Sequence, residues 1–420
     1  MQQYSNTPAV NGQRIWQSLM DLAKIGATAK GGSCRLALTE LDGKGRDLVV
    51  SWMEQAGLKI TVDQVGNIFG RRAGSNDTLP PIVTGSHIDT QPTGGKFDGC
   101  YGVLAGLEVM RILNDNDVVT EAPLELAIWT NEEGSRFVPV MMGSGVFAGK
   151  FPLESALNAR DLEGKSVRDE LCAIGYAGPA PVGGRPLGAY FEAHIEQGPI
   201  LEKEQKVIGV VTGSLGLRWY DVTVKGMEMH AGPTPMEVRQ DALFVATHLM
   251  QQVIHLANAN QPHGRGTVGV VQVHPGSRNV IPGEVSFTVD LRHQDVTVLS
   301  KMDAHWREAC VAAQREFGLP VSLKDVQYFP PTPFESRLVN RVRDSAAATG
   351  FTHMDIVTGA GHDAVYIAAV APTAMIFVPC KDGISHNEIE DAQPEHLTAG
   401  CQVLLGAMLA SAGVVAESCS

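Results

Sequence analysis

A chain of 420 residues, of which 44% are hydrophobic and 19% charged, has the composition of an ordinary globular protein with two or three domains. Its formal net charge of −13 disfavours nucleic acid and anionic membranes as partners, because their phosphate groups bind clustered Lys and Arg side chains. The sequence has no apolar run of roughly 18 residues that could span a bilayer and no secretory signal at its start, and we therefore expect a cytoplasmic protein.

The first part of the chain predicts helices alternating with buried strands. Residues 11–57 are typical of two helices around a glycine-containing loop, and a strand, a turn and a second strand follow from Leu58. The apolar run 79–85, bounded by Pro and Gly, predicts a buried strand, a helix follows over 98–113, and the next strand covers 124–128. This alternation indicates a largely parallel sheet covered on both faces.

A different pattern begins near residue 217. Polar and apolar side chains alternate along 220–225 and 284–292, which predicts antiparallel strands with one face in water. Two helices are predicted among these strands, over 239–259 and 298–317. The segment therefore has the pattern of a small α+β domain.

The Pro-rich segment 330–333 predicts a linker, after which helix and strand alternate again. We therefore predict an α/β fold in which a largely parallel-sheet domain is interrupted by an α+β domain with an antiparallel sheet and two helices. The predicted bounds are 1–216 for the first part of the large domain, 217–330 for the insert, and 331–420 for the second part.

Several common signatures are absent from the sequence. The chain has no GxGxxG after a strand, no GxSxG and no HExxH, which disfavours dinucleotide binding and two frequent hydrolase types. It also lacks a CxxC pair, and its odd number of scattered cysteines favours free thiols in a reducing compartment over disulfides or a thiolate metal site. The seven are Cys34, Cys100, Cys172, Cys310, Cys380, Cys401 and Cys419.

Metal-ligating residue types follow the predicted strands of the large domain. His87 and Asp89 come after one buried strand, Asp98 opens the next helix, and Glu132 and Glu133 come directly after the following strand. Taken singly, each has an ordinary explanation: a polar surface pair, a helix N-cap, or a solvated acidic pair. Because open α/β sheets bind ligands at the carboxyl ends of their strands, we expect these side chains to gather there.

Two later segments add to this set. A predicted strand carries Glu192, His194 and Glu196, which is unusually polar for a buried element, and His386 follows the buried strand 374–378. Five such signals in one domain favour a metal centre over coincidence. Imidazole and carboxylate ligands without thiolate suit Zn²⁺, Mn²⁺, Co²⁺ or Ni²⁺, and of two adjacent carboxylates one can ligate while its neighbour acts as a general base.

Eight motifs then follow one another along the chain: TGSHIDT, GGKFDGCYGVLAGLEV, WTNEEGSRF, FEAHIEQGP, HAGPTPM, NVIPGEVSFTVDLRH, TGAGHDA and SHNEIE. In these motifs the chain closely resembles the amidase, hydantoinase/carbamoylase family, a branch of the dinuclear-metal aminoacylase and carboxypeptidase superfamily. The resemblance extends from about residue 14 to residue 409. It implies a dinuclear-metal hydrolase domain and an inserted lid and dimerisation domain through which two chains form a homodimer.

The resemblance implies two divalent metal ions per subunit, with Zn²⁺ the expected metal and Mn²⁺, Co²⁺ or Ni²⁺ as alternatives. One ion would be held by His87, Asp98 and His194, and the other by Asp98, Glu133 and His386, so that Asp98 bridges them. The imidazole of His194 favours this branch, because the peptidase and aminoacylase branches usually carry a carboxylate there.

The resemblance also assigns catalytic roles. Glu132 matches the general base and Asp89 the partner that accepts a hydrogen bond from His87. His230, in the inserted domain, matches a histidine that stabilises the tetrahedral oxyanion, often across the dimer from the other subunit.

The substrate implied is a small-molecule ureido acid. Asn279 and Arg292 match the pair that holds its carboxylate, for which the planar fork of Arg is well suited. Next to the candidate Arg218, Leu217 stands where allantoate hydrolases carry Gln, which counts against allantoate. Further candidate contacts are Gln197 and the turn at Gly359 and Ala360.

The implied reaction is hydrolysis of the terminal ureido C–N bond of an N-carbamoyl L- or β-amino acid, which releases the amino acid, ammonia and carbon dioxide. An allantoate or ureidoglycine-type amidohydrolase would use the same centre, and an aminoacylase or peptidase is a more distant alternative. A non-catalytic binding or scaffold protein is disfavoured because the proposed base and all five ligands are present.

Overall fold

The computed structural model describes residues 7–415, which form two compact units. The larger unit contains residues 7–212 and 334–415, and the inserted unit contains residues 213–333. The inserted unit therefore includes the segment 217–330 that the sequence predicts as a separate domain.

Twelve α-helices lie within the described part of the chain. Side chains of Thr39 and Asp241 cap two of them by accepting hydrogen bonds from backbone N–H groups of the first turn. In chain order the helices are α1 (Gly12–Ala23), α2 (Glu40–Gln55), α3 (Cys100–Asp115), α4 (Met142–Phe147), α5 (Leu153–Leu157), α6 (Val167–Ala173), α7 (Ile200–Lys203), α8 (Ala242–Ala259), α9 (Val296–Phe317), α10 (Ser336–Ala348), α11 (Asp363–Ile367) and α12 (Pro394–Ala412).

Sixteen β-strands lie between and among these helices in the described residues. They are β1 (Lys59–Val62), β2 (Ile68–Arg72), β3 (Ile82–His87), β4 (Leu124–Trp129), β5 (Ala189–Ile195), β6 (Ile208–Ser214), β7 (Gly216–Lys225), β8 (Met229–His230), β9 (Arg265–Thr267), β10 (Val271–His274), β11 (Val280–Ile281), β12 (Glu284–His293), β13 (Val321–Phe329), β14 (Thr332–Pro333), β15 (His353–Thr358) and β16 (Thr373–Val378).

The largest sheet has nine strands in the order β1-β2-β4-β3-β5-β16-β6-β14, with β15 beside β6. Its four central strands, β4, β3, β5 and β16, run parallel, while β1, β2 and β6 pair antiparallel at the edges. All residues of the four central strands are buried, which explains why their sequences are nearly continuous apolar runs. The predicted α/β class with a mainly parallel sheet is confirmed.

Helices cover this sheet. Helices α1, α3, α10 and α12 pack against one another, and α3, α10 and α12 also pack on the central strands. Helices α4 and α11 pack on each other, α4 against β4 and α11 against β5 and β16. One continuous apolar core joins these helices to the sheet, with Trp129, Tyr190 and Phe377 among its large buried side chains.

The inserted unit contains an antiparallel sheet in the order β10-β12-β7-β13, with β9 also paired to β12. Along β12 the buried side chains Val285, Phe287, Val289 and Leu291 alternate with less buried polar ones, as the sequence predicts. Helices α8 and α9 pack against this sheet, and the buried side chains form a separate core with Trp306. Strands β8 and β11 form a two-stranded pair of their own.

The sequence predicts that the chain has no membrane-spanning segment and that its cysteines are free thiols, and both expectations can be compared with the described residues. Among residues 7–415, no helix is both long enough and apolar enough to cross a membrane. Six of the seven cysteines lie in this part of the chain and all six are free, whereas Cys419 is outside the described residues. The cytoplasmic location stays a prediction.

Candidate metal centre

The four parallel strands bring the proposed ligands to one edge of the sheet. His87 is the last residue of β3, and His194 is the last but one of β5. Glu133 lies in the loop after β4, and His386 in the loop after β16. Because the carboxyl ends of these strands meet at the same edge, residues far apart in sequence become neighbours there.

Asp98 is at the centre of the cluster. Its Oδ1 lies 3.2 Å from Nε2 of His194 and 3.7 Å from Nε2 of His87, while its Oδ2 lies 3.2 Å from Nε2 of His386. Nε2 of His386 is also 3.3 Å from Oε2 of Glu133. The structure thus brings together the two groups assigned by resemblance, and in each group the candidate ligand atoms lie within 4.8 Å of one another.

Glu132 lies beside the first of these groups. Its Oε2 is 3.5 Å from Nε2 of His87, and the residue is 8% exposed. Glu133 has the same exposure, whereas the side chain of His386 is 51% exposed. The cluster therefore lies at the boundary between the core and solvent, where a small molecule could reach the carboxylate of Glu132.

Backbone carbonyls orient two of the histidines. Nδ1 of His87 is 2.9 Å from the carbonyl oxygen of Asp89, and Nδ1 of His194 is 2.9 Å from that of Ile195. Donation from Nδ1 leaves Nε2 of each ring facing the cluster, which is the arrangement of a ligating histidine.

The contact of His87 corrects one sequence-based assignment. The sequence predicts that the Asp89 carboxylate accepts the hydrogen bond from His87, but Oδ1 is 3.8 Å away and the main-chain carbonyl accepts it instead. The Asp89 carboxylate accepts hydrogen bonds from the backbone N–H groups of Glu132 and Glu133, at 3.3 and 3.2 Å. Asp89 therefore positions the segment that carries the proposed base.

Asp98 is not the N-cap of α3, which was the ordinary explanation of its position. The residue at that point is Gly99, whose φ of +65° lies in the region that favours glycine. A Cβ on Gly99 would lie 2.4 Å from ring atoms of His87, so only glycine lets the chain pass this close to the imidazole. The carboxylate of Asp98 is consequently directed at the histidines.

Three other residues at the cluster have left-handed backbone although they are not glycine. These are Asn131, Gln197 and His386, with φ between 53° and 57°. Such conformations cost about 1–3 kcal/mol each and persist where surrounding contacts hold them. In Asn131 the side-chain amide donates to the carbonyls of Phe137 and Pro139, which holds the backbone directly before Glu132.

The electrostatics of the cluster are those of buried carboxylates close together. Burial, helped by the nearby carboxylate of Asp42, raises the pKa of Asp89 to about 7, and burial, helped by the carboxylate of Asp98, raises that of Glu133 to about 8. Burial, together with the charge of Asp363, raises the pKa of Glu132 well above its ordinary value. In each case burial and neighbouring negative charge outweigh the groups that favour the ionised form.

The histidines respond to the same surroundings in different ways. Burial lowers the pKa of His87 to about 4, which leaves its Nε2 lone pair available. Burial alone would also lower the pKa of His194, but the hydrogen bond to Asp98 raises it to about 9. The hydrogen bond to Asp98 likewise raises the pKa of His386 to about 9.

This donor set fits divalent metal ions. It offers three imidazole nitrogens and carboxylate oxygens at positions that two ions could share, with no thiolate, and such ligands suit borderline cations. Positive charge at this point would compensate the carboxylates whose ionised forms are disfavoured by burial. The residues present therefore fit metal binding, which the resemblance implies.

Sequence analysis missed several residues that contact this cluster. Gln91 donates from Nε2 to Oε2 of Glu133 at 2.6 Å, and Ser385 and Glu390 contact Asp98. His362 packs its ring against that of His194, with centroids 4.5 Å apart, and belongs with Glu192 to a third buried group of ligand-type residues. Ser385, His362 and Glu390 all lie inside the motifs TGAGHDA and SHNEIE, which were the available signal.

The candidate substrate contacts in the larger unit have partners within the protein. Gln197 donates from Nε2 to Oδ2 of Asp98 at 2.9 Å, while its Oε1 is buried without a hydrogen-bond partner. Gly359 and Ala360 lie in a turn organised by Thr358, whose hydroxyl accepts from the backbone N–H of Ala360.

In the inserted unit, His230 and Asn279 are brought together. The N–H of Ala231 donates to the carbonyl of Asn279 at 2.9 Å, and His230 pairs with Val280 across β8 and β11. Arg292 lies at the end of β12, where its guanidinium binds the carboxylate of Asp290 at 2.7 Å.

The two candidate arginines of the inserted unit lie on opposite faces of its sheet. Arg218 pairs with Leu291, a buried residue of the helix-covered face, and its guanidinium lies 3.4 Å from Asp303 of α9 and over the ring of Tyr328. Arg292 pairs with Leu217 and points the other way. Arg218 therefore contacts the helix layer of its own unit, in contrast to Arg292.

Comparison with known proteins supports the interpretation of the cluster. Residues 83–410 match the model of peptidase family M20/M25/M40. A solved structure of an amidase, hydantoinase/carbamoylase family protein from Burkholderia multivorans is 58% identical, with a TM-score of 0.94 over 96% of this chain and 98% of that one. The chain belongs to the hydantoinase/carbamoylase amidases of peptidase family M20/M25/M40. The predicted family is confirmed.

Two curated relatives indicate the range of activities in this group. An N-carbamoyl-L-amino-acid amidohydrolase from Rhizobium meliloti is 48% identical over 97% of this chain and 98% of the relative. An allantoate amidohydrolase from Bacillus subtilis is 35% identical over 91% of this chain and 93% of the relative. This family member is accordingly a hydrolase of C–N bonds other than peptide bonds.

Proposed function

We propose that this protein hydrolyses the terminal ureido C–N bond of N-carbamoyl amino acids. The observation that carries the proposal is the pair of ligand groups sharing Asp98, one completed by His194, with Glu132 beside them. The 48% identity to an N-carbamoyl-L-amino-acid amidohydrolase over nearly the full chain supports the same substrate class.

In the proposed reaction, water adds to the ureido carbonyl carbon and the bond to the terminal nitrogen breaks. Ammonia leaves, and the carbamate that remains loses carbon dioxide to give the free amino acid. Two divalent ions, Zn²⁺ or alternatively Mn²⁺, Co²⁺ or Ni²⁺, held by His87, Asp98 and His194 and by Asp98, Glu133 and His386, would acidify the attacking water and polarise the carbonyl.

The side chains of the protein carry the proton transfers and the orientation. Glu132 takes a proton from the attacking water and returns it to the departing nitrogen, as a general base and then a general acid. Asp89 holds Glu132 and Glu133 through their backbone N–H groups. The two side-chain hydrogen bonds of Asn131 hold the backbone directly before Glu132.

The first test is a substrate panel measured as ammonia release. We expect turnover of N-carbamoyl α- or β-amino acids by protein loaded with each of the four metals in turn. Allantoate belongs in the panel because a 35% identical relative carries that name, although the family resemblance counts Leu217 against it. Hydrolysis of dipeptides or N-acetyl amino acids, without any ureido substrate, would contradict the proposal.

We further propose that Arg292 and Asn279 bind the substrate carboxylate and that His230 stabilises the oxyanion. Arg292→Ala should raise KM roughly 10- to 100-fold with a smaller change in kcat, because a hydrogen-bonded charge contact acts in ground state and transition state alike. His230→Ala should instead lower kcat roughly 10²- to 10³-fold, because an oxyanion donor acts where charge develops.

The matched control is Arg265→Ala. Arg265 lies directly opposite Arg292 on the neighbouring strand β9 and is exposed, so its loss removes the same charge from almost the same place. In steady-state kinetics, the KM and kcat of this variant should be close to those of the unmodified protein. Equal KM values for the Arg292 and Arg265 variants would place the carboxylate contact elsewhere.

A further inference from the structure

Glu390 is a buried carboxylate directly behind the metal-ligand cluster. It is 2% exposed, and its Oε1 accepts hydrogen bonds from the backbone N–H groups of Phe97 at 2.9 Å and Asp98 at 3.1 Å. These donors belong to the segment that turns into α3 and directs the Asp98 carboxylate at the histidines. One oxygen of Glu390 thus fixes the backbone of the shared ligand.

The other oxygen of Glu390 contacts the segment of a second ligand. Oε2 lies 2.8 Å from the hydroxyl of Ser385, the residue before His386, and the same hydroxyl lies 3.1 Å from Oδ2 of Asp98. Gln197 donates to this hydroxyl from the other side at 3.2 Å. Glu390 and Ser385 therefore join two ligand segments that are almost 300 residues apart in sequence.

Glu390 packs directly against the backbone of Gly95. A Cβ on Gly95 would lie 2.0 Å from Oε1 of Glu390, so the absence of a side chain at residue 95 is what allows the carboxylate to reach the backbone of Asp98. The His386 side chain is half exposed and its φ is 54°, a conformation that surrounding contacts such as the one between Ser385 and Glu390 must hold.

We infer that Glu390 is a positioning residue that holds Asp98 and His386 at the spacing required by the second ligand group, Asp98, Glu133 and His386. This inference rests on the proposed metal centre. It concerns the second group more than the first, because Glu390 contacts the segments of two ligands of the second group, through Asp98 and through Ser385 beside His386. In the first group it contacts only the shared Asp98, since His87 and His194 are held by the carbonyls of Asp89 and Ile195.

Direct metal titration tests the inference without reference to activity. Protein stripped by a chelator is titrated with Co²⁺ and with Zn²⁺ in a calorimeter, and Co²⁺ absorbance is followed in parallel. Glu390→Ala should weaken one of the two binding events roughly 10- to 100-fold, the usual effect of losing a group that orients a ligand, and leave the other within a few-fold.

Glu390→Gln provides the rescue. Its amide oxygen can still accept from the N–H groups of Phe97 and Asp98, and its NH₂ can donate to the Ser385 hydroxyl, which then donates to Asp98. We expect both affinities of this variant to be close to those of the unmodified protein. If Glu390→Gln and Glu390→Ala weakened metal binding equally, the site would require a negative charge at residue 390, and the positioning role would be wrong.

Two further variants separate positioning from general damage. Gly95→Ala leaves Glu390 in place but adds a Cβ that must displace its carboxylate. We therefore expect this variant to weaken the same metal-binding event as Glu390→Ala. Glu388→Ala, in the same loop, removes a 3.6 Å contact with Lys30 and should bind both ions normally.

The outcomes distinguish this inference from the proposed function. Two unchanged binding events in both Glu390→Ala and Gly95→Ala would overturn the positioning role while leaving the metal centre intact. Failure of the unmodified protein to bind two ions would overturn the metal centre itself, and the inference with it. Circular dichroism of the stripped variants establishes that the fold is retained, and Gly95→Ala replaces Glu390→Ala if the latter does not fold.

Discussion

Glu132→Gln is expected to lower kcat by roughly 10²- to 10⁴-fold while both metal ions remain bound, because a general base contributes about that much and the amide cannot accept the proton. The carboxylate lies 3.5 Å from His87 but belongs to neither ligand group that shares Asp98. Gln is nearly isosteric with Glu, so the packing around residue 132 is retained. Metal analysis and single-turnover kinetics on an N-carbamoyl amino acid measure the two effects separately.

The neighbouring residue supplies the contrast for this experiment. Glu133→Gln changes the same chemical group one position along the chain, but Glu133 lies 3.3 Å from His386 and belongs to the second ligand group. This variant should lose affinity for one ion, and excess metal should restore part of its activity. Glu132→Gln should not respond to excess metal, and full activity of that variant would refute the assignment of the base.

The strand ends are predictable from sequence because the signals are local. A buried parallel strand is a short apolar run, and the polar residues that follow it lie at its carboxyl end whatever the rest of the fold does. The apolar runs alone therefore place His87, Glu132 and Glu133 near one another. The assignment of each to a particular ion comes from the family resemblance.

The alternation of side chains between the two faces of the antiparallel sheet is a further signal in the sequence, and it separates the two candidate arginines. Arg218 is spaced by two from Tyr220, and alternation therefore assigns it to the same face as the apolar residues Tyr220, Val222 and Val224. Arg292 is spaced by two from the polar positions of its own strand. Because successive side chains of a strand point to opposite faces, this difference indicates that the two arginines lie on different sides of the sheet.

Contacts between distant segments cannot be predicted in this way. Spacing alone cannot show whether the carbonyl or the carboxylate of Asp89 accepts from His87, since both are within reach of the ring. Glu390 contacts the backbone of Asp98 across 292 residues, and no local pattern encodes that pairing. The identity of the metal, the homodimer and the cytoplasmic location stay predictions.

Asp98→Asn is expected to have the widest effect of any single substitution in the cluster. Asp98 is the one residue common to the two ligand groups that contain His87 and His386, and its two oxygens face three histidines. An amide presents one oxygen and one NH₂, so at least one side of the cluster would meet a donor where it needs an acceptor. Both binding events should therefore weaken by more than about 100-fold, beyond the effect of losing an outer orienting group.

The control for this substitution lies at the end of α3, the helix that follows Asp98. Asp115→Asn makes the identical chemical change at the last residue of α3, where the side chain is half exposed and pairs with Arg14. Calorimetry with Co²⁺ should find both sites intact in this control and neither at full strength in Asp98→Asn. If Asp98→Asn kept one site unchanged, Asp98 would be a ligand of a single ion, and the two groups would have to be independent sites in place of one dinuclear centre.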